Sequence, residues 1–263
     1  MNTLPASRRA PFGWSVIVVG LLFPTLLTAV YFIALAAAPP LLQQAVYSTG
    51  KLLQFGAPLV LWFVARRTRE GQVEPETELA HDSRNDQAAT RRLASGYLIG
   101  ATFGLLVGLA MVVVFRALIA PTDIAHRLHD VILGKLRGFH VTRTWQYAAL
   151  SAFYCLAHSG LEEYYWRWFI HRRCREQSGV GAAATIASSL GFMAHHVLLL
   201  AVFFGWSSPL TWLCSAGVAV GGAFWAWLYE RTGRLAPSWV SHFLVDAGIF
   251  WIGYDLLGSS LNV

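Results

Sequence analysis

Long apolar stretches separated by short polar segments dominate this chain of 263 residues. A helix needs about 20 predominantly apolar residues to cross the hydrocarbon core of a bilayer. Seven stretches approach or exceed that length: residues 12–38, 45–64, 93–115, 145–170, 180–204, 210–229 and 239–257. Residues 122–140 form an amphipathic or re-entrant stretch that could hold an eighth span. The pattern predicts an all-α polytopic membrane protein, with residues 1–263 in a single integral membrane domain.

Composition strengthens this interpretation. Hydrophobic residues make up 56% of the chain and charged residues only 13%, whereas soluble domains contain about 25% charged residues. A soluble single domain is therefore excluded. The net charge of +6 could suggest nucleic-acid binding. However, the basic residues flank the apolar stretches, so we expect the lipid bilayer as partner and no nucleic acid.

The distribution of Lys and Arg predicts the orientation, because cytoplasmic loops carry an excess of basic residues. A cytoplasmic N-terminus places thirteen basic residues inside and five outside. Residues 66–92 then form a solvated cytoplasmic loop with six acidic residues. Eighteen Arg against two Lys suggest a GC-rich bacterial genome, and we expect a bacterial inner membrane. Gly217 and Gly221 have the spacing of a close-packed helix face in the sixth span.

Several ionisable residues lie inside the predicted spans, where each charge costs at least about 2.5–3.5 kcal/mol. They are His158, Glu162, Glu163 and Arg167 in the fourth span, His195 and His196 in the fifth, and His242 and Asp246 in the seventh. Such groups face one another or a water-filled cavity, because lipid does not tolerate them. The cost of burial therefore predicts that the fourth, fifth and seventh spans converge on one polar site.

The fourth span contains one carboxylate with a partner and one without. Glu163 and Arg167 are four residues apart and can form an ion pair, whereas Glu162 points about 100° away. His158 lies one turn before Glu162 on the same face. These residues could form a helix end at the cytoplasmic interface, or a general base beside a structural ion pair.

The histidines of the other two spans also allow two interpretations. Phe192 and His196 share a helix face, and we expect His195 to be turned away from it. At least one of the two adjacent histidines is then structural. His242 and Asp246 are four residues apart, so Asp246 can fix the tautomer of His242. Alternatively, that pair only holds two helices in register.

Three motifs in this region resemble those of the CAAX protease and bacteriocin-processing (CPBP, or ABI) family of intramembrane proteases. The motifs are Glu162-Glu163-x-x-x-Arg167, Phe192-x-x-x-His196 and His242-x-x-x-Asp246. The resemblance implies a catalytic core over residues 145–258 that hydrolyses a peptide bond of a membrane-associated protein or peptide. It implies that Glu162 activates water with help from His196, and that His242 and Asp246 stabilise the oxyanion. Glu163, Arg167, His158 and His195 would support these groups.

Asp246 departs from the CAAX-protease branch, which usually has Asn at this position. An ionised Asp cannot donate to an oxyanion. Either Asp246 is protonated, or it orients His242 so that the imidazole alone donates. We expect the second, because the four-residue spacing supports it directly. The departure resembles the broader prokaryotic branch and makes a prenylated substrate less expected.

Other functions stay open at this point. Glu162, His196, His242 and Asp246 are all competent zinc ligands, so a zinc protease is the alternative to a glutamate enzyme without a cofactor. A non-catalytic scaffold or immunity protein could keep the same residues for folding. A transporter is disfavoured, because the chain has no paired short spans broken by Gly or Pro.

Overall fold

The structure, a computed structural model, describes residues 13–70 and 83–261. Helices make up nearly all of these residues, and none of them belongs to a β-sheet. The α-helices are α1 (Gly13–Ala29), α2 (Pro40–Glu70), α3 (Ser83–Val114), α4 (Asp123–Gly138), α5 (Thr144–Ala152), α6 (Ser159–Glu163), α7 (Arg172–Ser178), α8 (Gly181–Phe204), α9 (Pro209–Thr232) and α10 (Ala236–Leu257). π-helical segments occupy Val30–Ala34, Phe115–Ile119, Phe153–His158 and Tyr164–His171, and a 3₁₀ helix occupies Gly258–Leu261. The predicted all-α class is confirmed.

Five helices of the described part of the chain are long and apolar enough to cross a membrane. They are Gly13–Ala34, Gln87–Ile119, Gly181–Phe204, Pro209–Thr232 and Ala236–Leu257. Together they identify an integral membrane protein. The predicted spans 45–64 and 145–170 are also helical, but they contain polar residues such as Lys51 and Glu162 and are not among the five. The total of seven spans stays a prediction.

Two connecting regions sharpen the predicted topology. Residues 122–140, considered for an eighth span, form the amphipathic helix α4. With 16 residues this helix is shorter than the about 20 residues that a crossing needs. The loop predicted over residues 66–92 is partly helical, since α2 continues to Glu70 and α3 begins at Ser83. Residues 71–82 lie outside the described residues.

A central composite helix carries most of the predicted site. It runs without interruption over residues 144–178, through α5, α6, α7 and the two π-helical segments between them. Its side chains Trp166 and Ile170 are fully buried in the core. A π-helical turn alters the regular helical hydrogen bonding. In the π-helical segment Phe153–His158, the carbonyl of Leu156 accepts a hydrogen bond from Nε1 of Trp239 at 2.9 Å. This bond connects α10 to the composite helix.

Glycines allow α3 and α10 to pack closely. A Cβ atom at Gly100 would lie 2.6 Å from the carbonyl oxygen of Pro237, and one at Gly108 would lie 2.9 Å from that of Leu244. These are distances that real Cβ atoms essentially never show, so α10 requires glycine there. The close-packed face predicted at Gly217 and Gly221 is wrong. Among the described residues, a Cβ at Gly217 would meet nothing within 4 Å, and one at Gly221 would meet only Trp225 of its own helix.

Candidate active site

Glu162 lies at the centre of a buried polar cluster. Its side chain extends from α6 and is 4% exposed. Three imidazole nitrogens surround its carboxylate: Nε2 of His195 at 3.7 Å, Nε2 of His242 at 3.8 Å and Nε2 of His158 at 3.9 Å. We call these four residues the Glu162 cluster. It joins the composite helix, α8 and α10, as the cost of burying polar groups predicted.

The three separations matter chemically because all of them exceed the length of a hydrogen bond, which is about 2.7–3.2 Å for nitrogen and oxygen. Glu162 therefore faces three imidazoles without being held by a direct bond to any of them. Nε2 of His158 and Nδ1 of His195 are buried and have no hydrogen-bond partner among the described residues. These groups can bind a reactant that enters the cluster.

The neighbouring carboxylate, Glu163, is held much more tightly. It is fully buried, its Oε2 lies 3.3 Å from Nε of Arg167, and its Oε1 lies 2.9 Å from Nδ1 of His242. Arg167 also donates to the carbonyl of Gly222 at 3.1 Å. The predicted ion pair of Glu163 and Arg167 is confirmed, and the contact with His242 gives Glu163 a second function in positioning.

His242 is oriented by Glu163 and not, as predicted, by Asp246. A carboxylate only accepts hydrogen bonds, so the 2.9 Å contact with Glu163 places a proton on Nδ1 of His242. Oδ1 of Asp246 lies 3.6 Å from the other nitrogen, Nε2, which is too long for a hydrogen bond. The four-residue spacing did bring Asp246 near the ring. However, the tautomer of His242 is fixed by Glu163, which lies on a different helix.

The expectation that His195 is turned away from the site is also wrong. His195 is buried and faces Glu162, and its ring is parallel to that of Trp166, with 5.7 Å between centroids. The His196 ring lies beside it, at a centroid distance of 4.2 Å. Nδ1 of His196 donates to the carbonyl of Phe192 at 2.9 Å. His195 therefore belongs to the Glu162 cluster, and the ring of His196 lies next to it.

Aromatic rings fix the polar groups in place. Trp225 of α9 stacks on His242, with 4.1 Å between centroids and an angle of 16°. The guanidinium carbon of Arg167 lies 5.0 Å from the centroid of Phe192 and 5.2 Å from that of Trp225. Phe192 of the second motif thus packs against Arg167 of the first motif. Sequence reasoning missed Trp225, since nothing in its local pattern distinguishes it from other aromatic residues in the spans.

Sequence reasoning also missed Lys51 on α2. Its ammonium interacts electrostatically with Glu162 and with His158. The available signal was that Lys51 is the only lysine inside a predicted span.

The possible metal ligands show no metal-binding arrangement. In residues 13–70 and 83–261, no group of three or more His, Cys, Asp or Glu residues is arranged to hold a metal ion. The zinc ligands considered from the sequence lie among these residues: Glu162, His196, His242 and Asp246.

Comparison with known proteins gives one result. A family model described as type II CAAX prenyl endopeptidase Rce1-like matches residues 144–248, which contain all three motifs. No curated protein and no solved structure matches the chain. The match supports a protease that acts on membrane-associated substrates. The resemblance seen in the three motifs is confirmed: over residues 144–248, this chain matches the family of type II CAAX prenyl endopeptidases.

Proposed function

We propose that this protein is a glutamate-type intramembrane endopeptidase in which Glu162 is the general base. The observation that carries the proposal is the position of Glu162, buried and within 3.7–3.9 Å of three imidazole nitrogens, none of them at hydrogen-bond distance. This spacing lets the carboxylate accept a proton from a water molecule bound between the rings. A carboxylate with a purely structural role would be bonded directly.

The reaction begins when that water attacks the carbonyl carbon of the scissile peptide bond. Glu162 takes one proton from the water as the new C–O bond forms, and the carbonyl oxygen becomes an oxyanion. His196 holds the water, because its Nδ1 donates to the carbonyl of Phe192 and its Nε2 is then free to accept a hydrogen bond. His195 borders the same space, with its Nε2 3.7 Å from Glu162.

His242 stabilises the oxyanion. Its Nδ1 is bonded to Glu163, so only Nε2 can face a reactant. When His242 is protonated at both nitrogens, Nε2 donates to the oxyanion and Glu163 balances the positive charge of the ring. One such donor in a dry site contributes about 2.7–4 kcal/mol to transition-state stabilisation. The intermediate then collapses, the C–N bond breaks, and Glu162 returns its proton to the leaving amine.

Asp246 acts through His242. Its Oδ1 lies 3.6 Å from Nε2 of His242, so an ionised Asp246 favours the protonated ring. The oxyanion is therefore stabilised by the imidazole and not by a side-chain amide. This is the physical consequence of Asp at a position where the CAAX-protease branch usually has Asn.

We further propose that the reaction needs no metal. Glu162 can serve as the base directly. Elemental analysis of the purified protein tests this point. One tightly bound zinc per chain, with activity lost on its removal and regained on its return, would favour the zinc protease instead.

We place the protein in a bacterial inner membrane with its N-terminus in the cytoplasm, on the strength of the distribution of basic residues. Its substrate would be a membrane-associated protein or peptide. The direct experiment compares membrane peptides from cells with the wild-type chain and cells with Glu162→Gln. A membrane protein that accumulates uncleaved only with Glu162→Gln identifies the substrate. Glu230→Gln, the same substitution in a carboxylate outside the site, is the matched control. Equal cleavage in all three strains would leave the non-catalytic scaffold as the better explanation.

A further inference from the structure

A cavity of about 500 Å³ lies between α3, α7 and α9, and none of its lining residues belongs to the Glu162 cluster. Five residues line it: Arg92, Arg175, Trp227, Glu230 and Arg231. We call it the arginine cavity. Binding pockets in proteins have volumes of about 300–1,000 Å³, so the cavity is large enough for a small polar group.

The lining of the arginine cavity is basic, with three guanidinium groups and one carboxylate. Arg175 donates a hydrogen bond to Glu230, so these two charges neutralise each other. Among the described residues, neither Arg92 nor Arg231 forms an ion pair with a carboxylate. The cavity can therefore offer two positive charges to an anion.

Close packing of α3 on α9 brings the two arginines to one cavity. Gly96 lies four residues after Arg92, on the same face of α3. A Cβ atom at Gly96 would collide with the methyl group of Thr232, so a larger residue would keep α3 away from this end of α9. The side chain of Arg231 lies over Trp227, with its guanidinium carbon 5.8 Å from a ring centroid. The fold thus places positive charges from two separate helices beside each other.

The arginine cavity lies where two apolar helices end. Arg92 is near the beginning of the candidate span Gln87–Ile119, and Arg231 is near the end of the candidate span Pro209–Thr232. Trp227 is 44% exposed, and exposed tryptophans are typical of the level of the lipid headgroups. In the proposed orientation this end faces the cytoplasm, where the leaflet contains anionic lipids.

We infer that the arginine cavity binds the phosphate of an anionic phospholipid headgroup. A guanidinium group suits a phosphate, because its N–H groups can donate two parallel hydrogen bonds to the phosphate oxygens. A lipid also brings acyl chains, and exposed apolar side chains such as Leu98 on α3 and Val220 on α9 are available to contact them. The inference does not depend on the proposed proteolysis, since the cavity shares no residue with the Glu162 cluster.

Lipid retention tests this inference directly. Full-length protein is reconstituted in nanodiscs with equal amounts of phosphatidylglycerol, which is anionic, and phosphatidylcholine, which is zwitterionic. After extraction into a mild detergent, native mass spectrometry counts the molecules of each lipid that stay bound. A parallel sample contains phosphatidylcholine alone and inorganic phosphate in the buffer. We expect the wild-type chain to retain phosphatidylglycerol in preference to phosphatidylcholine and to retain no inorganic phosphate.

The double variant Arg92→Gln/Arg231→Gln should lower the retention of phosphatidylglycerol by about tenfold or more, because each arginine near an anionic lipid contributes about fivefold. Both residues are exposed, so the fold should persist, and thermal unfolding checks this. The matched control is Arg127→Gln/Arg137→Gln, which removes two charges from exposed residues of α4 outside the cavity. Its retention of phosphatidylglycerol should equal that of the wild-type chain.

Three outcomes would overturn the inference. The first is equal retention of the two lipids by the wild-type chain. The second is a loss of retention that is the same in the double variant and in its control, because net charge and not the cavity would then attract the lipid. The third is retention of inorganic phosphate that the double variant abolishes, which would identify a site for a soluble anion instead of a lipid.

Discussion

Two clusters of this protein combine carboxylates with imidazoles, but they arrange them differently. In the Glu162 cluster, three imidazole nitrogens lie 3.7–3.9 Å from the carboxylate. In a second cluster, Glu230 on α9 accepts a hydrogen bond from Nε2 of His171 at 3.1 Å and another from Arg175. We call Glu230, His171 and Arg175 the Glu230 cluster. Similar side chains are thus bonded directly in one place and held apart in the other.

The difference separates a structural contact from a site prepared for a reactant. Direct bonds to Oε1 of Glu230 fix α9 against the C-terminal end of the composite helix and leave that oxygen already engaged. The oxygens of Glu162 are buried beside imidazole nitrogens that do not reach them. Buried polar groups in proteins are normally hydrogen-bonded, so a cluster that departs from this rule indicates function. Four predictions test the contrast, from the largest expected effect to the smallest.

The largest effect is expected for Glu162→Gln. The amide has almost the same shape but cannot accept a proton from water at neutral pH, so hydrolysis should slow by about 10⁴-fold, the upper end for a general base. Thermal unfolding should change little, because Glu162 makes no direct hydrogen bond that the amide would lose. The check is cleavage of the accumulated substrate by purified protein in lipid. Residual activity within tenfold of wild type would rule out Glu162 as the base.

Arg167→Met should destabilise the fold strongly. It leaves Glu163 buried and without its ion-pair partner, which costs about 3–5 kcal/mol. Adding Glu163→Gln should recover part of the loss, since the double variant contains no unpaired charge. The thermal unfolding of the three proteins in one detergent provides the measurement. A double variant that is no more stable than Arg167→Met would show that lost packing, and not the unpaired charge, dominates.

A third prediction concerns the two adjacent histidines of α8. His196→Ala should lower kcat/KM about 10²-fold, at the low end for an acid–base group, because it removes the group that holds the water. His195→Ala should lower it by roughly tenfold, since its Nε2 faces Glu162 at 3.7 Å. His171→Ala, in the Glu230 cluster, is the control and should leave kcat/KM unchanged. Full activity of His195→Ala would restore the view that this residue is purely structural.

How much of this site could be predicted depended on whether contacts were local. The ion pair of Glu163 and Arg167 and the nearness of His158 to Glu162 lie within one helix, so the helical repeat sufficed to predict them. The cost of burying charge also predicted that three helices converge. These arguments need only spacing and the properties of the bilayer.

Contacts between helices could not be predicted in the same way. The bond of Glu163 to His242 depends on how α10 is rotated against the composite helix, and glycine contacts with α3 help to set that position. Spacing alone also suggested the wrong glycines, Gly217 and Gly221, because a small residue packs closely only where a second helix meets it. The predicted orientation of His195, turned away from the site, was wrong for the same reason.

The smallest effect is expected in the Glu230 cluster and completes the comparison. Glu230→Gln removes a charge whose side chain is 28% exposed and whose partner Arg175 is 55% exposed. Exposed ion pairs contribute about 0–1 kcal/mol, because water screens the charges and can replace the lost bond. Unfolding should therefore shift only slightly and cleavage should stay at the wild-type rate, although the substitution is the same as in Glu162→Gln. A loss of cleavage comparable to that of Glu162→Gln would mean that the length of a hydrogen bond does not distinguish the two clusters, and that the Glu230 cluster also takes part in the reaction.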